Sequence, residues 1–363
     1  MKVVHITPTY FNESSFIGGG ERYVTELTSG MAQLVDTTLV SFSSKRKSWI
    51  RDNLKIEIYP VKYLIKGSKL NPLSFKYLNS IISADIIHIH QINALISDLG
   101  CLAGFLLGKR VFVTDHGGGA NFVINQKIPV FKCYTNAIVQ SDFGKNFLPH
   151  ELQKKAVLIK GGIDENLFCP LANIAKENKI LYVGRILPHK GINYLIDALR
   201  ILNNPDVKLT ILGRIYNEAF YQDLKQLAAN LPVEFIHDAD DRKLLQEYRS
   251  AIVTVLPSVH TDSYGNYTPI PELMGFTLLE SQACGTPVIC TDAGAMHEFV
   301  DECKTGFVVK QNSGEALANA LRQFINLSIS ERYAYQERCL NWIKPLNWST
   351  VVKKHLEIYN SKV

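Results

Sequence analysis

The chain has 363 residues, a net charge of +5, 46% hydrophobic residues and 20% charged ones. That length suits two domains with separate cores, and that composition excludes a disordered or fibrous protein. No apolar run reaches membrane-span length, and the seven scattered cysteines form no CxxC pair, so zinc and dithiol redox motifs are poor readings and a reduced, cytoplasmic compartment is expected.

The first element is a strand, KVVHIT, beginning at the second residue, so no signal peptide is expected ahead of the fold. GGGE (Gly18 to Glu21) follows, and from about Glu21 a helix carries Val24, Leu27, Met31 and Leu34 at helical spacing. Gly19 and Gly20 at a helix start offer amides to an anion. A dinucleotide fingerprint would stand tight behind the strand, whereas here about a dozen residues intervene.

TTLVSF, DIIHIH, RVFVTD, AIVQS and AVLIK are further strands of the first half. Residues 1–160 hold 19 Lys+Arg against 11 Asp+Glu, and Lys45 to Lys69 has eight bases against Asp52 and Glu57. That stretch reads as a solvated loop and helix face, or as contact with an anionic surface such as a lipid leaflet or phosphorylated acceptor. His88 and His90 alternate within their strand and are expected on opposite faces. His116, in TDHGGG, follows a strand end, where it is either structural or a donor to a ligand hydroxyl or phosphate.

The pattern lapses over residues 161–178, the expected joint between domains. It then restarts with KILYVG and a helix bearing Ile192, Leu195, Ile196, Leu199 and Leu202 on one face. VKLTILG, VEFIH, IVTVLP, PVICTD and GFVVK follow with helices between them, one marked by Leu317, Ala320, Leu321 and Phe324. A last helix, about Ser349 to Asn360, has Val352, Leu356 and Tyr359 for docking. Strand and helix alternating twice over predict an α/β chain with two parallel sheets, each covered on both faces.

In such sheets ligands bind beyond the carboxyl ends of the strands. YVGRILPHKG ends a strand at Gly184 and brings Arg185 and Lys190 to a helix start, a pairing that suits a diphosphate. PELMGFTLLESQACGTPVICTD carries Glu272 and Glu280 on either side of Gly275. A helix is expected near Phe276, which puts the amides of Gly275, Phe276, Thr277 and Leu278 at its N-terminus. Glu272 on the loop and Glu280 in the helix can then reach two parts of one extended ligand. Carboxylates accept pairs of hydroxyls, so a sugar–diphosphate–nucleoside fits both acids and the anion site between them. HDADD (237–241) resembles a metal-binding DxD, yet it precedes a helix and reads as a cap.

These stretches, with LIKGGIDENLFCP and NWSTVVKKHLEIY, make nearly the whole chain resemble the GT-B retaining glycosyltransferases of family four. The pair VGR…KG with two glutamates eight apart is its specific part. The resemblance implies two Rossmann-like domains facing across a cleft: 1–165 on the acceptor side, 166–345 on the donor side, and a helix 346–363 crossing back to the first. It implies transfer of a hexose from a nucleoside-diphosphate sugar, UDP-glucose foremost, to a glycan, lipid-linked or small-molecule hydroxyl, as in polysaccharide biosynthesis.

Arg185 and Lys190 would hold the diphosphate, Glu280 the ribose, and Glu272 and His116 the donor sugar. Gly184 and the backbone of Gly275, Phe276, Thr277 and Leu278 would line the donor. Gly19 and Gly20 would approach the diphosphate, and His237 and Asp238 would border the base. No cofactor or metal and no nucleic acid are expected, and location is cytoplasmic or peripheral on the inner membrane face.

The departure is VHTDSYGNYTPIP (259–271), an insertion that offers Asp262, Tyr264, Asn266 and Tyr267 to donor or acceptor. A nucleotide-sugar epimerase or hydrolase, or a non-catalytic nucleotide-sugar sensor, are the competing functions. A Rossmann dehydrogenase lacks its fingerprint.

Overall fold

The computed structural model describes every residue except 11–18, 69–70, 118–123, 126, 173 and 362–363. Gly18, Gly118 and Gly119 of the glycine motifs lie outside the described residues. Contacts divide the chain into two units, one of residues 1–162 with 348–363 and one of 163–347. Among the described residues no helix is long and apolar enough to cross a membrane.

The first unit is built on β1 (Lys2–Tyr10), β2 (Asp36–Ser43), β3 (Lys47–Arg51), β4 (Leu54–Pro60), β5 (Tyr63–Leu64), β6 (Pro72–Leu73), β7 (Ile86–His90), β8 (Arg110–Thr114), β9 (Asn136–Val139) and β10 (Ala156–Leu158). β5 and β6 form a small ribbon, and the others one eight-stranded sheet in the order β10-β9-β8-β7-β1-β2-β4-β3. Its pairs are parallel except β3 on β4 at the edge.

Each buried strand faces two environments, because side chains alternate with period two. Ile87 and Ile89 join Ile6, Val111, Val113, Tyr77 and Ile96 in one apolar cluster. His88 and His90 take the other face together. The expectation that they point to opposite faces fails because residues two apart on a strand share a face; their rings stack at 4.4 Å.

The helix Gly19–Ala32 and the last helix, Trp348–Asn360, contact one another in this unit. The last helix buries Val351, Val352, His355 and Tyr359. Arg110 donates to its final carbonyls at Ile358 and Tyr359, a cation at the negative end of the helix dipole.

The basic stretch expected as loop and helix face is largely a β-hairpin, β3 and β4 joined by Asp52 and Asn53, both at positive φ (46° and 72°). Lys55 pairs with the buried Glu57 at 2.8 Å, and the Arg46 guanidinium lies 3.7 Å from the centroid of Tyr59. Lys55 and Arg46 are therefore tied to the sheet itself.

The second unit holds β11 (Lys179–Val183), β12 (Lys208–Leu212), β13 (Val233–Ile236), β14 (Val253–Leu256), β15 (Val288–Thr291) and β16 (Gly306–Val309). All are parallel, in the order β13-β12-β11-β14-β15-β16. The buried central strands β11, β12, β14 and β15 explain the near-continuous apolar runs in the sequence. Side chains of Asn217, Asp240, Ser313 and Ser328 cap four of the covering helices.

Candidate active site

In the second sheet β11 and β14 are neighbours, but the chain leaves β11 toward β12 and leaves β14 toward β15. Strand order reverses between them, and the crevice beyond their carboxyl ends is where such a sheet binds ligands. Gly184, Arg185 and the turn Pro188–Lys190 follow β11. Ser258, the 259–271 segment, Glu272 and Gly275 follow β14, ahead of the helix Phe276–Ala283.

The two sides meet. Lys190 Nζ donates to Glu272 Oε1 at 2.5 Å and to the Pro271 carbonyl at 3.1 Å. Ser258 Oγ donates to the same Oε1 at 3.2 Å. An ammonium has three N–H groups, so one remains for a ligand. Gly191 makes this approach possible: it has φ +66°, and a Cβ there would stand 2.0 Å from the Pro257 carbonyl oxygen. From the other side, the Ala295 amide donates to the Glu272 carbonyl at 3.0 Å.

The helix starts at Phe276 behind Gly275 in the left-handed region at φ +79°. Thr277 Oγ1 donates to the Val183 carbonyl at 3.2 Å and so ties the helix start to the end of β11. The Leu278 amide, expected among the anion-facing donors, is instead taken by the Gly275 carbonyl at 2.9 Å within the first turn. Glu280 is buried in the helix, and Tyr248 donates to its Oε2 at 2.8 Å. Burial, then the Glu280 charge, raises the Tyr248 pKa well above the ordinary value, so the phenol remains a donor.

Arg185 differs from Lys190 in kind. It is exposed, with its guanidinium 5.6 Å from the centroid of Tyr216. Between the two cations His189 is lowered to about 4 by burial and then by Lys190, which leaves it neutral.

Both ring nitrogens of His237 are engaged, by the Gly213 carbonyl and the Tyr221 hydroxyl, each at 3.0 Å. Asp238 is exposed beside it. Asp240 accepts from the Lys243 amide at 2.7 Å as the helix cap.

The insertion folds back on itself. The Asp262 carboxylate gathers the amides of Tyr264 and Asn266, each at 2.9 Å. His260 takes the Gln311 side chain on its amide at 2.8 Å and stacks on Tyr267 at 5.8 Å. Tyr264 hydrogen-bonds Asp223. Tyr267 remains 68% exposed, the largest apolar surface the segment offers.

In the first unit strand order reverses between β1 and β7. There the helix start at Gly20 lies against His116: a Cβ on Gly20 would be 3.1 Å from the His116 Cβ. His116 Nε2 is 3.1 Å from His90 Nδ1, and its Nδ1 is 3.5 Å from Gln140 Nε2. Burial lowers its pKa to about 4, so the ring is neutral at physiological pH.

The structure thus joins Lys190 to Glu272 and Gly20 to His116. Ser258, Tyr248, Gln140, His5 and Met31 were not read from the sequence as parts of these sites. Ser258, directly after a strand in LPS, carried the one local signal.

Residues 17–167 match the family model described as Glycosyltransferase Family 4, and residues 165–339 that described as Glycosyl transferases group 1. A phosphatidyl-myo-inositol mannosyltransferase of Mycobacterium tuberculosis is 26% identical over 294 residues, 76% of this chain and 74% of that one. A D-inositol 3-phosphate glycosyltransferase of Corynebacterium urealyticum is 26% identical over 229 residues, 57% of this chain and 51% of that one.

Among solved structures, HepE of Anabaena in complex with UDP and glucose superposes with a TM-score of 0.74 at 17% identity, covering 100% of both chains. Sucrose-phosphate synthase from Thermosynechococcus elongatus gives 0.73 at 19% identity, covering 99% of this chain and 98% of that one.

Proposed function

We propose, for a chain that belongs to the family 4 glycosyltransferases, that it moves a hexose with retention from a nucleoside-diphosphate sugar to a hydroxyl acceptor. The donor is a UDP-sugar, UDP-glucose foremost, and the acceptor is anionic or lipid-linked. The observation that carries the reading is the Lys190–Glu272 pair at the strand-order reversal of the second sheet.

Lys190 and Arg185 neutralise the diphosphate, Lys190 as a buried point charge and Arg185 as an exposed fork. Glu272 keeps Oε2 for hydroxyls of the donor sugar, while Glu280, aligned by Tyr248, takes the ribose hydroxyls. The backbone of Gly184, Gly275, Phe276 and Thr277 lines the sugar and phosphates, and His237 and Asp238 border the base. The family resemblance assigns Gly19 and Gly20 to the diphosphate and His116 to the donor sugar.

Catalysis is chiefly charge stabilisation on the leaving nucleotide. The bond from the anomeric carbon to the phosphate oxygen breaks, the acceptor oxygen bonds that carbon on the same face, and its proton passes to the departing phosphate. No resident metal is needed in this scheme.

The base is supported by the UDP complex of HepE. The acceptor class is supported by the inositol-containing names of two relatives and by the basic first half of the chain.

The test is a calorimetric titration with nucleoside diphosphates and their sugars, on the protein and on Arg185→Ala and Glu280→Ala. Tight binding of one nucleotide, lost in both variants, is expected. Binding of none would overturn the reading, and donor consumed equally fast without acceptor would mark a hydrolase.

A further inference from the structure

In the first unit the buried His5 and His90 form a hydrogen-bonded file that ends at the half-buried His116. His5 Nδ1 lies 2.9 Å from His90 Nε2, and His90 Nδ1 lies 3.1 Å from His116 Nε2. At the inner end His5 Nε2 meets Met31 Sδ at 3.2 Å. At the outer end His116 Nδ1 faces the Gln140 side-chain nitrogen at 3.5 Å. Burial lowers the pKa of all three rings, to about 3 for His5 and about 4 for His116, so each carries a single proton at pH 7.

A neutral imidazole has one donor and one acceptor nitrogen, so each ring in a file dictates the next. A thioether can only accept. His5 must therefore place its proton on Nε2, toward the sulfur, and accept at Nδ1. His90 must then donate from Nε2 and accept at Nδ1, and His116 must donate from Nε2. That leaves His116 Nδ1 as a lone pair, which the Gln140 amide nitrogen, itself a donor, matches.

His5, His88 and His90 also bring nitrogen atoms within 4.8 Å of one another, as a metal site would. Two of the three ring pairs are nearly parallel, at 18° for His5–His90 and 22° for His88–His90, with His5–His88 tilted at 38°, and both nitrogens of His88 are engaged by Tyr359 and Thr114. Lone pairs lie in the ring plane, so parallel rings do not aim at one ion, whereas the file accounts for each nitrogen of His5 and His90.

We propose that Met31 is a positioning residue for His116, fixing through His5 and His90 the tautomer that leaves Nδ1 as an acceptor. On the reading of His116 as a sugar-side residue, on which this step rests, a ligand hydroxyl displaces the long 3.5 Å contact of Gln140 and donates to His116 Nδ1. The ring does not offer a hydrogen bond to a phosphate, in contrast to the sequence expectation of a donor.

The test uses the whole protein labelled with 15N-histidine, in long-range proton–nitrogen spectra at pH 7, with His5→Gln, His90→Gln and His116→Gln for assignment. His5, His90 and His116 are all expected as the Nε2–H form. In Met31→Leu the file loses its anchor, and the Nδ1–H form of His116 appears. Donor turnover then falls several-fold while nucleotide affinity holds.

An Nδ1–H form of His90 or His116 in the unaltered protein overturns the proposal, as do unchanged spectra in Met31→Leu. If that variant does not fold, the spectrum of the unaltered protein decides alone. The expected tautomers in a protein that binds no nucleotide would leave the file standing and remove only the transferase reading.

Discussion

Lys190 and Glu272, 82 residues apart in the chain, form a 2.5 Å ion pair that ties the turn after β11 to the loop after β14. Sequence reasoning gave the cation to a phosphate and the acid to a sugar as separate tasks. Their contact makes the tasks one: charge brought to Lys190 weakens its hold on Glu272, and the freed carboxylate gains capacity for hydroxyls. On the proposed roles of the two residues, binding of the two ends of a donor is coupled.

Lys190→Met should destabilise the second unit by about 1–3 kcal/mol, because the Glu272 carboxylate is left largely buried without its partner. Adding Glu272→Gln should restore much of that stability and none of the donor turnover. Urea midpoints and turnover of the single and double variants check this; an unchanged midpoint in Lys190→Met would show that the pair contributes nothing to the fold.

Arg185→Ala should separate binding from stability. The side chain is exposed, so unfolding should shift by no more than about 0.5 kcal/mol. Loss of a charge-assisted contact should weaken nucleoside-diphosphate binding by about 1.5–3 kcal/mol, and less at high salt. Calorimetry at two ionic strengths reads both effects.

Tyr248→Phe removes the donor to Glu280 Oε2 without changing shape. A cost of about 1–3 kcal/mol in stability is expected from loss of a hydrogen bond to a buried carboxylate. Affinity for UDP should fall while that for pyrophosphate stays, since Glu280 is assigned to the ribose. Equal loss for both ligands would place Glu280 elsewhere.

Four buried histidines and the half-buried His116 set the acid response of the first unit. From an ordinary 6.5, burial lowers His5 to about 3 and His116 and His355 to about 4, with His88 and His90 also driven well down. Below pH 6.5 the unfolded chain binds protons that the folded one refuses. Their contribution is complete above 6.5 and is lost as pH falls, at about 1.4 kcal/mol per unit for each ring. Asp115, raised by burial to about 6, and Asp98, also raised by burial, oppose this at the acid end as two groups against five. Melting temperature should drop steeply from pH 7 to 5, and a flat profile would mean that the rings are not held neutral.

Dialysis against a chelator should leave donor binding and turnover unchanged. Asp240 is committed to the Lys243 amide as a helix cap. Activity lost on chelation and restored by magnesium or manganese would reassign Asp238 and Asp240 to a metal.

The twelve strands read from the sequence were legible because each is a β-branched or aromatic run between breakers, and Gly275 marked the helix start at Phe276 through its left-handed backbone. The strands β3 and β4 and the two-residue β5 and β6 were not; all five residues of β3 are exposed. Edge strands carry bases to discourage pairing, and the same bases disguise them as loop. The two residues at its turn, Asp52 and Asn53, were the available signal. The Lys190–Glu272 contact depends on sheet order, which local pattern does not encode. The histidine file was within reach, because residues 88 and 90 share a face by arithmetic alone; its anchor, Met31, looked like any helix-face methionine.

The last helix belongs to the unit whose strands were made first, and this has a consequence for the nascent protein. His88 hydrogen-bonds Tyr359, and Arg110 caps carbonyls at 358 and 359, across about 250 residues of intervening chain. While the ribosome makes residues 163–347, at roughly 5–20 residues per second, the first unit waits about ten to forty seconds without its closing piece. Its apolar flank and buried imidazoles stay open to chaperones and proteases for that interval. A 13-residue clasp, delivered only after the second unit, decides when the older half of the molecule is finished.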